Sequence, residues 1–449
     1  MIDEQPQQQG FMHWLKESVT VKLIFIGFLI LVLLIPQALI DGLINERASR
    51  QDDAIRQVSD QYSGVQLIQG PVLIIPYHDR VTESDSQGKQ TIKEVIEDLF
   101  ILPNELNYKG SVNTDTLHRG IYRVPVYNGV IKVSGNFSKA DLGSLSINAD
   151  QLMPEKARLV FSISDLKGLK TNPQVSVAGQ TLAVTPVAGE DVLPNGLQVA
   201  VNLKGLLDGS VAFQYDLDLK GSQELNFLHL GKTTDVQLVG NWPSPSFGGR
   251  FLPDTRVVND LGFSAHWHIL YYNRPFPQQW TRDINLITGS KKAGDAAFGV
   301  KLKLPVDQYQ QTTRTSKYAI LIILLAFVSL FLTETVAKQR VHVFNYILIG
   351  ASMVIYYTLL LSLSEQLGYS WAYLIASVAT VALIAAFLAS LLKNRKAAII
   401  FAAILALFYS FIYVIIQLED LSLLIGSIAL FIIVAALMYS SRKINWDKP

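Results

Sequence analysis

The sequence predicts an α-helical membrane protein with six transmembrane helices and one large, mainly antiparallel β domain, sandwich-like or an open barrel, placed after the first helix. Three observations predict it. The 449-residue chain is 50% hydrophobic and only 17% charged, and six long apolar runs carry no charge at all. Basic residues gather in alternate loops between those runs, the bias that orients membrane helices. Between the first and second runs the apolar period changes from 3.6 to 2, the signature of half-buried strands.

The first run, Leu23 to Ile40, follows Lys16 and Lys22 and is long enough to cross a hydrocarbon core of about 30 Å. It ends in Ile40, Asp41, Gly42 and Leu43 rather than at a small-residue cleavage site, so it reads as an uncleaved anchor over 21–43. Pro36 in its last turns predicts a modest kink. Five further spans are Tyr318–Thr333, Val343–Ser364, Leu367–Leu392, Ala397–Leu418 and Leu421–Ser441, a bundle over 317–441. Short linkers between them force antiparallel neighbours.

Six spans put Lys16, Lys22, Lys338, Arg340, Lys393, Arg395, Lys396, Arg442, Lys443 and Lys448 all on one side. The opposite short loops hold Glu365, Glu419 and Asp420 without a Lys or Arg. By the positive-inside rule the N-terminus (1–20) and the tail (442–449) are cytoplasmic, and residues 44–316 lie outside. Those residues hold 28 acidic and 27 basic side chains, a balanced surface that does not attract nucleic acid.

The outer segment opens as a helix. Ile44, Ala48, Ile55, Val58 and Tyr62 recur at helical spacing until Gly64 stops it, giving a stalk or a helix packed on the domain. Strands follow. Leu197 to Leu203 and Val211 to Leu219 alternate cleanly, and Asn128-Gly129 between Tyr122–Tyr127 and Val130–Val133 predicts a two-residue hairpin turn, with Pro125 marking an edge or bulge. Val65–Ile75, Leu159–Ser164, Val175–Val184, Glu224–Leu230, Asp235–Val239, Phe263–Tyr272 and Val300–Leu304 are further strands, Lys139–Leu145 a short helix and Thr82–Gln90 an exposed loop.

Three constellations carry chemistry on paper. His266 and His268 project from one strand face, and Asp254 or Asp260 would complete a metal site; yet the apolar set Phe263, Ala265, Trp267, Ile269 and Tyr271 leaves both histidines on the solvated face. Ser244 and Ser246 lie in a Pro-rich loop with no Gly-x-Ser-x-Gly setting, where turns explain the residues. The spans hold no ionisable group, and Ser329, Asn345, Ser352, Tyr356, Tyr357, Thr358, Ser377, Thr380, Tyr409 and Ser410 serve helix packing by default. With no cysteine there is no disulfide or thiolate site. Catalytic, cofactor and metal residues are therefore none.

Motifs along nearly the whole chain resemble the CreD family of cell envelope integrity, or colicin-tolerance, proteins. They are the Glu46 to Arg56 stalk, Gly70-Pro71-Val72-Leu73-Ile74-Ile75-Pro76, Asn241-Trp242-Pro243-Ser244-Pro245-Ser246-Phe247 leading to Phe251-Leu252-Pro253, and Gly262-Phe263-Ser264-Ala265. Asp307-Gln308-Tyr309-Gln310, Lys317 to Leu321, Gln339-Arg340 and Leu363-Ser364-Glu365 complete the set. The resemblance implies a bacterial inner-membrane protein with a periplasmic domain, under two-component control and linked to envelope stress and colicin tolerance. It implies no reaction and no catalytic residue.

The expectation is a non-enzymatic envelope protein whose partners are the lipid bilayer and an envelope protein or lipid bound by the exported domain. The rival is a membrane-embedded enzyme or a lipid- or glycan-handling transporter, which would show a groove lined by Asn345, Tyr356 and Thr380.

Overall fold

The computed structural model describes residues 19–84, 90–189, 191–205, 209–288, 293–304, 308–337, 341–392, 395–418 and 422–441. The chain divides into two compact units, one formed by the residues up to Gln51 with those from Val306 onward, the other by Asp52–Pro305.

α1 (Val19–Tyr62) runs 44 residues through Pro36 and Gly42, and its residues up to Gln51 belong to the helical unit. Then come α2 (Gln308–Lys317), α3 (Ala319–Ala337), α4 (Val343–Leu367), α5 (Tyr369–Leu391), α6 (Arg395–Gln417) and α7 (Ser422–Ser441). Gly368, at φ +78°, closes α4 and opens α5, a backbone state that costs glycine little. Ile26, Leu29 and Leu33 of α1 share one core with Phe327, Leu330, Met353, Leu360, Ile384 and Leu405. Gly350 permits that approach, because a Cβ there would stand 2.3 Å from Leu33 Cδ1.

Apolar length was expected to give six spans. Among the described residues α1, α4, α5 and α6 are long and apolar enough to cross a membrane, and α2 with α3, bent by 43°, makes a fifth if the pair counts as one. In α7 the described apolar stretch, Leu424–Ala435, is shorter than a span. The basic residues Lys16, Lys338, Arg340, Lys393, Arg442, Lys443 and Lys448, with Glu419 and Asp420, lie outside the described residues.

In the second unit the strands are β1 (Gln66–Ser84), β2 (Gln90–Ile101), β3 (Glu105–Arg119), β4 (Tyr122–Phe137), β5 (Ala157–Ile163), β6 (Gln174–Val177), β7 (Gln180–Ala183) and β8 (Thr185–Pro186). Next are β9 (Gly196–Val201), β10 (Val211–Ser222), β11 (Glu224–Leu228), β12 (Thr233–Gly240), β13 (Pro245–Gly249), β14 (Thr255–Asn259), β15 (Gly262–Leu270), β16 (Gln279–Thr281) and β17 (Ala297–Leu302). One sheet runs β13-β17-β11-β1-β5-β9-β8 with β2 and β16 attached, and the other runs β14-β15-β12-β3-β4-β10-β6-β7. The sheets face each other across one core: Phe161 stacks on Tyr215 at 4.5 Å, Tyr108 meets Phe227 at 5.1 Å, and Trp267 meets Phe298 at 5.7 Å. This is a sandwich. It is not wholly antiparallel, since β1 pairs with β11 and β3 with β12 in parallel.

Local turn chemistry was overridden in one place. Asn128 and Gly129 do not turn; they lie inside β4, pairing with Asn113 and Val112 on one side and with Lys220 and Leu219 on the other. Two full ladders outweigh the preference of an Asn-Gly pair, and the hairpin turn falls at Gly120-Ile121, where Gly120 has φ +62°. Pro125 sits just beyond the last β10 pair, Ser222 with Val126, where its missing N–H is not needed for that ladder. Of the loop expected over Thr82–Gln90, Thr82–Ser84 and Gln90 belong to paired strands, and 85–89 lie outside the described residues. Val175–Val184 splits at Ala178-Gly179 into β6 and β7, and of the helix expected over Lys139–Leu145 only a single turn at Gly143–Leu145 forms.

The end of α1 packs on this domain. Val58 sits against Val124 and Val126, the Ser59 and Ser222 hydroxyls lie 2.7 Å apart, and Asp165 accepts from the Gly64 N–H at 3.0 Å and from the Ser63 hydroxyl at 3.1 Å.

Candidate functional site

Alternation along β15 decides what its histidines can do. Phe263, Ala265, Trp267 and Ile269 are buried, so His266 and His268 stand on the outer face; Tyr271 lies past the strand end and is exposed. On β12, Asp235 is the cross-strand partner of His268, and Gln237 that of His266. Asp235 takes both rings, His266 Nε2 at 3.0 Å and His268 Nδ1 at 3.0 Å. Asp254 serves the backbone, accepting from the His268 N–H at 2.7 Å, while Asp260 lies in the turn between β14 and β15. The carboxylate that organises the pair is therefore neither of the two expected. No group of three His, Cys, Asp or Glu placed to hold a metal occurs among the described residues.

Beside His266 the outer face is concave. A groove of about 480 Å³ is lined by Lys109, Ser111, Lys132, Gln237, Ser264 and His266, among others. Lys109 and Lys132 are direct cross-strand partners, an arrangement of like charges that destabilises a sheet. Neither makes an ion pair with a carboxylate among the described residues. The groove thus offers two ammonium groups, hydroxyls and an amide to one ligand, a donor-rich set suited to anionic oxygen.

Ser246 lies in β13 opposite Lys301, and Ser244 just precedes that strand. Among the described residues no histidine is hydrogen-bonded to either.

In the helical unit, polar groups cluster at two levels. At one end Lys22 pairs with Glu334, whose other oxygen accepts from the Tyr346 hydroxyl at 3.0 Å. At the other, Ser316 donates to Asp41, Gln37 donates to Ser316 at 2.7 Å, and the Thr315 and Tyr369 hydroxyls lie 2.6 Å apart. From Tyr369 a ladder of rings leads inward through Tyr373, Tyr356 and Tyr409 at centroid distances of 5.7, 6.0 and 4.7 Å. Tyr373 donates to the Tyr409 carbonyl at 2.7 Å. Beside this ladder a groove of about 710 Å³ runs between α5 and α6. Asn345, Tyr356 and Thr380, the residues expected to line a groove, do not line this one; Ser377, Tyr409 and Ser410, expected to serve helix packing, do.

A sequence profile for the family described as Inner membrane protein CreD matches residues 18–447. Inner membrane protein CreD of Escherichia coli (strain K12) is 31% identical over 418 residues, covering 93% of this chain and 91% of the relative. The chain belongs to the CreD family of inner membrane proteins.

In this CreD chain the surface that combines charge with concavity was not singled out from sequence. Lys109 and Lys132 stand in strands separated by a turn, and nothing in one dimension places them opposite each other. The available signal was their alternation with apolar neighbours, Tyr108 beside Lys109 and Ile131 with Val133 around Lys132, which puts both on a solvated face.

Proposed function

We propose that this chain is a non-enzymatic inner-membrane protein that supports envelope integrity or the response to envelope stress by binding a partner through its β domain. Six spans cross the membrane, with α3 as the second and α7 as the last. Both termini lie in the cytoplasm and residues 44–316 in the periplasm. The distribution of Lys and Arg supports this orientation.

One observation carries the binding reading: Lys109 and Lys132 face each other in the groove of the eight-stranded sheet, with Asp216 a cross-strand neighbour on the far side of Lys132 but in no ion pair with it among the described residues. A sheet that tolerates like charges face to face gives up stability, and an anionic group on the partner recovers it. His266, tied to Asp235, is among the residues that line the groove.

A photo-crosslinking residue at Ser111 in intact cells should trap a discrete partner, and Lys109→Ala with Lys132→Ala should abolish the product. Because the chain has no cysteine, Leu261→Cys gives a clean probe of compartment: an impermeant maleimide should label it from outside the inner membrane. Catalytic turnover of an envelope lipid or glycan by the purified protein, removed by one point substitution, overturns the non-enzymatic reading.

A further inference from the structure

We propose that the groove between α5 and α6 binds one phospholipid from the surrounding leaflet, its acyl chain lying along the two helices. The site goes beyond the binding role given to the β domain and stands on separate observations.

Length comes first. The α5 residues lining the groove run from Ser370 to Ala382, about 18 Å of helix, close to half of a hydrocarbon core of about 30 Å. The groove therefore spans roughly one leaflet. Polarity along it is graded. Ser370, Trp371 and Tyr413 stand near the end where α5 begins and α6 finishes, the residue types that seat at a membrane interface. At the deep end are Val381, Ala382 and Ala406, small and aliphatic, where a chain would end. The volume of about 710 Å³ falls within the range of ligand sites, about 300–1,000 Å³.

The groove is open on its outer side, since Trp371, Val378 and Ala382 are exposed. On a spanning helix such residues meet lipid. Midway along the groove Ser377, Tyr409 and Ser410 lie about 10 Å from the interface end, beside the acyl chain rather than beneath the headgroup. No charged side chain lines the groove, so recognition is of the chain rather than of headgroup charge.

The test uses the full chain in bilayers containing phosphatidylethanolamine or phosphatidylglycerol with a diazirine midway along the acyl chain. Labelling should map to α5 and α6 and be similar for the two headgroups. Ala382→Trp and Ala406→Trp fill the deep end and should cut labelling by at least about tenfold, while Leu383→Trp, outside the lining, should not. If either tryptophan impairs folding, judged by elution and thermal melting, Ala382→Leu and Ala406→Leu should give a graded loss. Undiminished labelling in the filled variants, or none on α5 and α6, overturns the proposal. So does complete disulfide formation between Ser377→Cys and Ala429→Cys, which would seat α7 in the groove, or a covalent dimer through Val378→Cys alone, which would seat a second copy there.

Discussion

His229 is fully buried, with Nδ1 2.9 Å from the Thr234 hydroxyl. Burial first, then the nearby Arg274 guanidinium, lowers its pKa from 6.5 to about 4. Burial also lowers that of Arg274 to about 10, which leaves it charged at neutral pH, donating to the carbonyls of Leu230 at 2.6 Å and Phe276 at 3.1 Å. Because the folded value of His229 lies below the unfolded one, the unfolded chain binds more protons between pH 6.5 and 4. Stability from this group is complete above pH 6.5 and is lost as pH falls through that window, by about 3 kcal/mol at its lower end. Denaturant titrations of the β domain should show this slope, and His229→Gln should flatten it. Sequence did not mark His229, because a single histidine between two leucines carries no period. The exposed pair His266 and His268 was legible for the opposite reason: alternation on β15 fixed their face. What stayed hidden was Asp235, since cross-strand register is not written in either strand alone.

Elements show the same division. Apolar helices are readable because length and lack of charge are local properties, and α1, α4, α5 and α6 are long enough to span; the 43° bend between α2 and α3 is not readable in this way. Strand existence is readable for most of the sandwich, but β4 reads as a hairpin because turn propensity is local and the two ladders that overrule it come from β3 and β10. The tie between α1 and α3 is likewise a product of packing. Lys22, paired with Glu334, also donates to the Val341 carbonyl at 3.0 Å, and its ammonium lies 5.4 Å from the centre of the Tyr346 ring. Glu334→Ala removes the carboxylate but leaves the cation and the Tyr346 hydroxyl partly buried, at a cost of about 1–3 kcal/mol. In detergent Glu334→Ala should therefore melt below the wild type, and the double variant Lys22→Met with Glu334→Met should recover part of the loss.

At the scale of the whole molecule, the two units have separate hydrophobic cores, one in the helices and one between the sheets. A fragment covering Asp52–Pro305 should then fold without the helices, giving a β-type circular dichroism spectrum and one cooperative melting transition. Two transitions would mean that the sheets do not share a core. Composition made the existence of two such units readable, since apolar content and period both change near residue 44 and again near 316. The way the sandwich closes was not readable, because its parallel pairs join distant segments.

That closure has a bearing on biogenesis. The first strand after α1 finds one of its neighbours, through Gln66–Ile68, only when Leu225–Phe227 arrives, and that neighbour in turn pairs with Ala297–Leu302. A chain made from its N-terminal end must hold β1 without that flanking partner until nearly the entire domain has been synthesised. Sheet formation of this kind is slow, because a long loop is closed before any contact rewards it. Maturation of the domain is consequently timed by the arrival of its last strand, just ahead of the second helical stretch, and a chain released early would present an unpaired edge to its surroundings.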